Sequence, residues 1–231
     1  MSIELIKENN RVMFVFFTED IYKNYMCNLF EEQYKTSNKV REKLFKFLDN
    51  DLNDLDLSEY RKYMIVKMKE YIRVNNKEKG KLIRNLSEKF VVTDLNSAVM
   101  GVPNDSDSDL DFTIPVKNKE EQEEVENTLL KMGYKLDNEW DEDIESDIKW
   151  KSYQKFVDNI EIEVKIRDEK VVRRVLIAHN GIKGLEETRK LKVSFIKSTL
   201  SSCNKKIYKT FKYILYSAMF NGDKDTIIFR H

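Results

Sequence analysis

Two stretches in which charged and apolar residues alternate constrain this chain more than any other feature. The first runs from Ser106 to Val116 and reads S-D-S-D-L-D-F-T-I-P-V. Successive side chains of a β-strand point to opposite faces of its sheet, so Asp109 and Asp111 share one face. The residues that take the opposite, buried face are Leu110, Phe112 and Ile114. The pattern predicts a strand that presents two carboxylates beside a hydrophobic core.

The second alternating stretch, residues 160–167, reads I-E-I-E-V-K-I-R and predicts a strand of the same kind. Its polar face carries Glu161, Glu163, Lys165 and Arg167. If the two strands are neighbours, one of these glutamates meets the aspartate pair. Three carboxylates at such short range repel one another unless a divalent cation neutralises them. Oxygen ligands of this kind suit Mg²⁺ or Mn²⁺, so the sequence predicts a metal site.

Helical periodicity dominates both ends of the chain. Four helices are predicted within residues 19–89. The first two span residues 20–34 and 40–48, the third begins at an N-cap at Ser58, and the fourth ends near Lys89. Beyond Arg167 apolar residues again recur with the helical period, most clearly from Ile207 to Ala218. The two end segments therefore predict helical structure on either side of the alternating strands.

The middle of the chain predicts a small sheet. Its predicted elements are strands at residues 90–92 and 110–116, a helix at 119–132, and a hairpin of strands 150–156 and 160–166. The predicted fold class is α+β, with a small mixed sheet unit at residues 90–168. We expect the helical segments at residues 1–89 and 169–231 to pack together as one companion lobe.

A turn rich in small residues joins the first two predicted strands. From Asn96 to Phe112 the chain reads N-S-A-V-M-G-V-P-N-D-S-D-S-D-L-D-F. Small residues at a turn let backbone N–H groups approach a phosphate. A Ser, then a Gly, then Ser-Asp-aliphatic-Asp resembles the signature of the DNA-polymerase-beta-like nucleotidyltransferase superfamily. Within it, the chain is most similar to the non-canonical poly(A) polymerases and terminal uridylyltransferases.

The resemblance implies a palm-like nucleotidyltransferase unit with named site residues. Asp109 and Asp111 would be the catalytic metal pair, and Glu163 the third ligand, with Glu161 as its competitor on the same face. The residues implied to surround the phosphates are Asn96, Ser97, Gly101 and Ser108. Asn96 stands where the family has its first Gly, and Asn tolerates the unusual backbone angles of Gly better than most residues do.

The likeness extends more thinly into the C-terminal segment. There it implies that Asn180 contacts the sugar or base of the nucleotide and that Lys197 neutralises the triphosphate. It implies a base-holding helix that carries Tyr216 and Ser217. These four residues complete the predicted nucleotide-binding set.

The implied activity is the addition of nucleotides from a nucleoside triphosphate, such as ATP, to an RNA 3′ end, as in mRNA processing. Two Mg²⁺ or Mn²⁺ ions would assist the attack of the terminal hydroxyl, and pyrophosphate would leave. The expected partners are the triphosphate and RNA, with a protein partner or a second copy of the chain as a further expectation. Because 41 basic residues balance 41 acidic ones, any site for a polyanion must be local.

The location of the protein is also an expectation from sequence. The N-terminus lacks the pattern of a signal peptide, and the longest apolar run, Val12 to Phe17, is too short to span a bilayer. We therefore expect a soluble, cytoplasmic protein with no membrane partner.

Three alternatives remain open from the sequence. The first is a nucleotidyltransferase that modifies a small molecule or a protein. The second is a metal-dependent nuclease, because Glu163-Val164-Lys165 fits an E-x-K pattern. The third is an inactive relative that serves as a binding subunit, which the replacement of Gly by Asn96 permits.

Overall fold

The computed structural model of the protein describes residues 3–8, 11–16, 37–104, 109–142, 144–203 and 205–220. The described residues form two compact units. The first contains those within Met1–Val66, Met100–Asp107 and Ile177–Ile227, and the second those within Lys67–Val99 and Ser108–Leu176. The helix at Ser58–Asn85 and the helix at Glu169–Lys183 each contribute residues to both units.

The second unit is built on a mixed sheet. Its described strands are β3 (Thr93–Asp94), β4 (Asp109–Val116), β5 (Lys135–Asp141), β6 (Lys149–Val157) and β7 (Ile160–Asp168). Their order across the sheet is β3-β4-β7-β6-β5. The neighbours β4 and β7 are parallel, and every other pair is antiparallel. The two alternating stretches of the sequence are therefore adjacent central strands.

The apolar residues of β4 and β7 form the centre of this unit's core. Phe112, Ile114, Ile162 and Val164 are fully buried, as the alternating pattern predicts. Helix α4 (Lys119–Lys131) covers them with Val125 and Leu129. The side chain of Asn118 caps this helix by accepting the N–H of Glu121 at 2.9 Å. The core fixes the polar residues of β4 and β7 on the opposite face.

The first unit is mainly helical. Its described elements are the hairpin of β1 (Ile3–Glu8) and β2 (Arg11–Phe16), α1 (Ser37–Lys46), a π-helical turn (Phe47–Asp51), the start of α2 (Ser58–Asn85), the end of α5 (Glu169–Lys183), α6 (Glu187–Cys203) and α7 (Lys205–Met219). Tyr60 of α2 lies edge-on to Phe195 of α6. The Tyr60 hydroxyl lies 2.8 Å from the hydroxyls of both Ser194 and Ser198. These two hydrogen bonds connect α2 with α6.

The α+β class predicted from sequence is confirmed, and several boundaries are corrected. The two helices expected between Ser58 and Lys89 form one continuous helix, α2. The strand expected at residues 90–92 lies instead at Thr93–Asp94. Strand β5 was not predicted, because all of its residues are exposed and its charged sequence lacks an apolar face. The helix predicted at residues 20–34 lies outside the described residues.

Candidate metal centre

Three carboxylates meet on the polar face of β4 and β7. In the parallel register of these strands, Asp111 stands opposite Glu163, and Asp109 opposite Glu161. Asp109, Asp111 and Glu163 each offer a carboxylate oxygen, and these oxygens lie within 4.8 Å of one another. All three residues are partly buried. Of the two glutamates considered from sequence, Glu163 is the one that joins the aspartate pair.

The cluster is tied to neighbouring side chains by charge-assisted hydrogen bonds. The ammonium of Lys165, on β7, donates a hydrogen bond to Asp111 Oδ1 at 2.8 Å and lies 2.9 Å from Glu163 Oε2. The hydroxyl of Ser152, on β6, donates to Glu163 Oε1. The negative charge of the cluster is therefore partly matched by one lysine from the same face of the sheet.

The ionisation of Glu163 is shifted by this environment. Burial raises the pKa of its carboxyl group to about 7, against the opposing effect of the Lys165 charge. A hydrogen bond with Asp111 and the charge of that residue raise the pKa further, whereas the Ser152 bond lowers it. Two carboxyl groups this close favour sharing one proton unless another cation joins them.

The ammonium of Lys165 responds in the opposite sense. Burial acts to lower the pKa of this group, but the charges of Asp111 and Glu163 and the hydrogen bonds to both outweigh burial. Its pKa is therefore raised above the ordinary lysine value. The cluster stabilises positive charge strongly, which is the electrostatic property that a divalent-cation site requires.

The residues present fit a hard divalent cation. Such ions take carboxylate oxygens as ligands, and the cluster supplies three carboxylates from two rigid, adjacent strands. Asp109, Asp111 and Glu163 would hold the ion, and Ser152 orients the third ligand.

Asn96 positions the first of these strands by its side chain. Its Oδ1 atom accepts the backbone N–H of Asp111, and its Nδ2 atom donates to Oδ1 of Asn75 on α2. Asn75 and Asn96 are 1% and 2% exposed. Among the described residues other than glycine, the positive φ angles belong to Asp158 and Asn159. Asn96 therefore does not adopt the positive φ angles that Asn tolerates better than most residues, and its side-chain amide is what contacts the strand.

The other residues predicted to contact phosphate follow Asn96 in the chain, Ser97 in the second unit and Gly101 in the first. Ser97 is partly buried and begins the short helix α3 (Ser97–Met100). Gly101 has φ +80°, and a Cβ there would lie 3.1 Å from the side chain of Lys190. A side chain at 101 would thus be strained in the backbone and crowded. Ser108 lies outside the described residues.

The C-terminal residues predicted to bind nucleotide belong to the first unit. Lys197 is 2% exposed, and its ammonium donates to the carbonyl of Val102 at 2.8 Å. The ring of Tyr216 lies 5.0 Å from the ring of His179 and is buried. Asn180 is exposed on α5, and Ser217 is partly buried on α7. Their roles in nucleotide binding stay predictions.

Two contributors to the cluster were not identified from sequence. The sequence pattern does not mark Ser152, and it places Lys165 on the polar face of its strand and in an E-x-K pattern without assigning it to the cluster. The signal for both lies in the hairpin of β6 and β7, whose turn residues Asp158 and Asn159 have φ of 52° and 65°. A two-residue turn there pairs Val157 with Ile160 and so sets Ser152 opposite Lys165.

A separate cavity lies at the other end of the same strands. It has a volume of about 700 Å³, and its lining includes the last residue of β7, Asp168, together with Lys117, Lys119 and Lys170, which follow β4 and β7. Acidic and basic side chains are mixed in its wall, and the three clustered carboxylates are not part of its lining. Size alone therefore does not mark this cavity as the site of chemistry.

Comparison with known proteins gives little further information. The chain matches no family model, and no curated protein matches it significantly. It is similar to the "Structure of the non canonical Poly(A) polymerase complex GLD-2 - GLD-3" with a TM-score of 0.37 and 14% identity, over 68% of this chain and 49% of that one. The chain thus spans about half the length of that neighbour. A TM-score this low establishes no shared fold, so function must be argued from the chain's own residues.

In the part of the chain that the structure describes, no helix is long and apolar enough to cross a membrane.

Proposed function

We propose that this protein is a metal-dependent nucleotidyltransferase that adds nucleotides from a nucleoside triphosphate to an RNA 3′ end and releases pyrophosphate. The observation that carries the proposal is the convergence of Asp109, Asp111 and Glu163, with carboxylate oxygens within 4.8 Å of one another. An isolated pair of alternating aspartates is common on a charged strand. A third carboxylate from the neighbouring strand, in register, is the arrangement that a site for catalytic divalent cations requires.

The proposed reaction forms one bond and breaks another at the α-phosphorus. The 3′ oxygen of the acceptor bonds to this phosphorus, the bond to the bridging oxygen of the leaving group breaks, and pyrophosphate departs. The acceptor hydroxyl loses its proton to solvent. Bound Mg²⁺ or Mn²⁺ would supply charge neutralisation for the phosphates and would activate the hydroxyl.

The chain's own residues supply the fixed part of this chemistry. Asp109 and Asp111 project from a central strand, and the bond from Asp111 N–H to Asn96 holds that strand beside the turn at Ser97. Ser152 fixes the carboxylate of Glu163. Ser97 is the proposed contact of the terminal phosphates, in keeping with the Ser-Gly turn that the sequence resembles.

A primer-extension assay tests the proposal. The full-length protein is incubated with Mg²⁺ or Mn²⁺, a 5′-labelled RNA primer and each triphosphate in turn, labelled at its α-phosphate, and the products are separated by length. The proposal predicts longer products that EDTA prevents. Label transferred to protein or to a small acceptor, without primer lengthening, would assign the transfer chemistry to a different substrate class.

A second candidate function is a metal-dependent nuclease of the E-x-K type. The specific observation in its favour is the contact of Lys165 with both Asp111 and Glu163, since such enzymes use a lysine beside the metal-binding carboxylates. The same assay separates the two functions, because a nuclease shortens the primer without any triphosphate. The transferase is preferred because it also explains the Ser97 turn beside β4.

A further inference from the structure

We infer that Lys165 is a built-in counter-ion of the carboxylate cluster that competes with divalent metal, so that metal binding requires the lysine side chain to leave. This inference rests on the proposed metal centre and goes beyond it. It assigns to one residue of the chain the control of how tightly the centre binds its ion.

The contacts of Lys165 occupy the oxygens that a metal would use. Its ammonium bonds to Asp111 Oδ1 at 2.8 Å and lies 2.9 Å from Glu163 Oε2. The remaining oxygen of Glu163 accepts the hydroxyl of Ser152. Both oxygens of the third ligand therefore already have donors. A cation that binds these same oxygens of Asp111 and Glu163 would take the position at which the ammonium bridges them.

The lysine side chain is the mobile partner in this exchange. The carboxylates project from β4 and β7, two hydrogen-bonded strands at the centre of the sheet, where the backbone is fixed by a buried core. A lysine side chain has a flexible four-carbon stem with its charge at the end, so the ammonium can move away while the strand stays in place. The side chain of Lys165 is 23% exposed.

The competition has a defined energetic direction. Without metal, the ammonium offsets the repulsion between Asp111 and Glu163 and stabilises the folded sheet. With metal, the same ammonium becomes a positive charge beside a divalent cation, which is unfavourable. The inference therefore predicts that removing the charge weakens the metal-free fold and strengthens metal binding.

The variant Lys165→Met tests this prediction, because methionine keeps an unbranched apolar stem and removes the charge. We expect it to bind Mn²⁺ about tenfold more tightly or better, because the metal no longer has to displace a hydrogen bond between charged groups. Affinity is measured by the loss of the free Mn²⁺ electron paramagnetic resonance signal and by calorimetry. Neither readout depends on catalytic activity. In EDTA the same variant should unfold at a lower temperature than the parent.

Lys151→Met is a matched control within the same sheet. Lys151 bridges two glutamates, Glu126 at 2.8 Å and Glu139 at 3.4 Å, and its side chain is 19% exposed. This change removes a bridging lysine of similar burial away from the carboxylate cluster. We expect it to lower the unfolding temperature while leaving Mn²⁺ affinity unchanged.

The outcomes separate the inference from the proposed function. If the parent binds Mn²⁺ and Lys165→Met binds it equally or more weakly, the metal centre stands and the competition is refuted. If only Lys165→Met binds Mn²⁺, the competition is supported in its strongest form. If neither protein binds Mn²⁺, the metal centre fails and the inference fails with it. Should Lys165→Met not fold, Lys165→Gln, which keeps a hydrogen-bond donor, replaces it under the same criteria.

Discussion

The side-chain oxygen of Asn96 accepts the backbone N–H of Asp111, so one buried amide fixes the residue at the centre of the carboxylate cluster. The backbone carbonyl of Asp111 accepts the N–H of Leu95 at 3.1 Å, and the two bonds together continue the pairing of β3 with β4. Asn96 also donates to Asn75, which connects the strand to helix α2. Asn96 is therefore a structural support of the carboxylate cluster.

We predict that Asn96→Ala destabilises the protein by about 2–4 kcal/mol, because it leaves the Asp111 N–H and the Asn75 side chain without partners in a buried position. Urea denaturation in EDTA measures the change. The control is Asn85→Ala, which removes an exposed amide that bonds to the Lys81 carbonyl and should cost less than about 0.5 kcal/mol. Equal stability of Asn96→Ala and the parent would refute the supporting role of Asn96.

Asn96→Gly introduces the residue that the signature resembled by this sequence has at the same position, and it tests the role of the amide. If only the backbone angles mattered, this variant would match the parent in stability and Mn²⁺ affinity. We expect Asn96→Gly to have a lower free energy of unfolding and a weaker affinity for Mn²⁺ than the parent, because the amide that accepts the Asp111 N–H is gone.

We predict that Asp111→Asn and Glu163→Gln each reduce the nucleotidyl transfer rate by about 10²–10³-fold or more, because each removes a ligand charge that holds the metal. Circular dichroism should show that the fold persists. Glu161→Gln is the matched control, since Glu161 lies on the same face and pairs with Asp109 but is outside the cluster. A loss at Glu161 as large as that at Glu163 would contradict the assignment of the third ligand.

The raised pKa of Glu163 predicts a pH dependence of stability. Because the folded protein binds this proton more tightly than the unfolded chain does, the contribution of Glu163 is fully present below pH 4.5 and is lost as pH rises to about 7. In EDTA, the free energy of unfolding should fall by on the order of 2 kcal/mol over this window relative to Glu163→Gln. Denaturation at a series of pH values measures it. The same slope in the Gln variant would show that another group is responsible.

Ser97 is predicted to contact the triphosphate, so its loss should act on substrate binding. We expect Ser97→Ala to raise the KM for the triphosphate about 10-fold or more, with a smaller effect on kcat, because a hydrogen bond to a charged phosphate contributes about 1.5–3 kcal/mol. Ser201→Ala is the control, since that hydroxyl bonds to the carbonyl of Ser198 in its own helix. An unchanged KM in Ser97→Ala would remove this residue from the site.

The sequence alone predicts the two strands that carry the cluster. Apolar and polar residues alternate in β4 and β7, and this period of two predicts a strand with one buried face and one polar face. It therefore predicted which side chains share the face of Asp109 and Glu163. It could not decide that β4 and β7 are parallel neighbours, since partner choice depends on contacts between distant segments. That pairing is what brings Glu163 to Asp111.

Other parts of the structure had weaker signals. Strand β5 has an exposed, charged sequence, and its pairing with β6 rather than its own pattern determines its conformation. The continuous helix α2 was divided in the prediction, although no proline interrupts it. The roles of Asn96 and Lys165 depend on hydrogen bonds between elements, which a residue pattern does not record. The sequence thus predicted the clustered carboxylates better than the residues that contact them.

The central claim is that Asp109, Asp111 and Glu163 together bind a divalent cation. Anomalous diffraction at the manganese edge, from crystals grown with Mn²⁺ and a non-hydrolysable triphosphate, tests it most directly. The account predicts an anomalous peak at about 2.0–2.3 Å from oxygens of all three carboxylates, with the Lys165 ammonium displaced from Asp111. Manganese bound only elsewhere, with Lys165 still bridging Asp111 and Glu163, would contradict it.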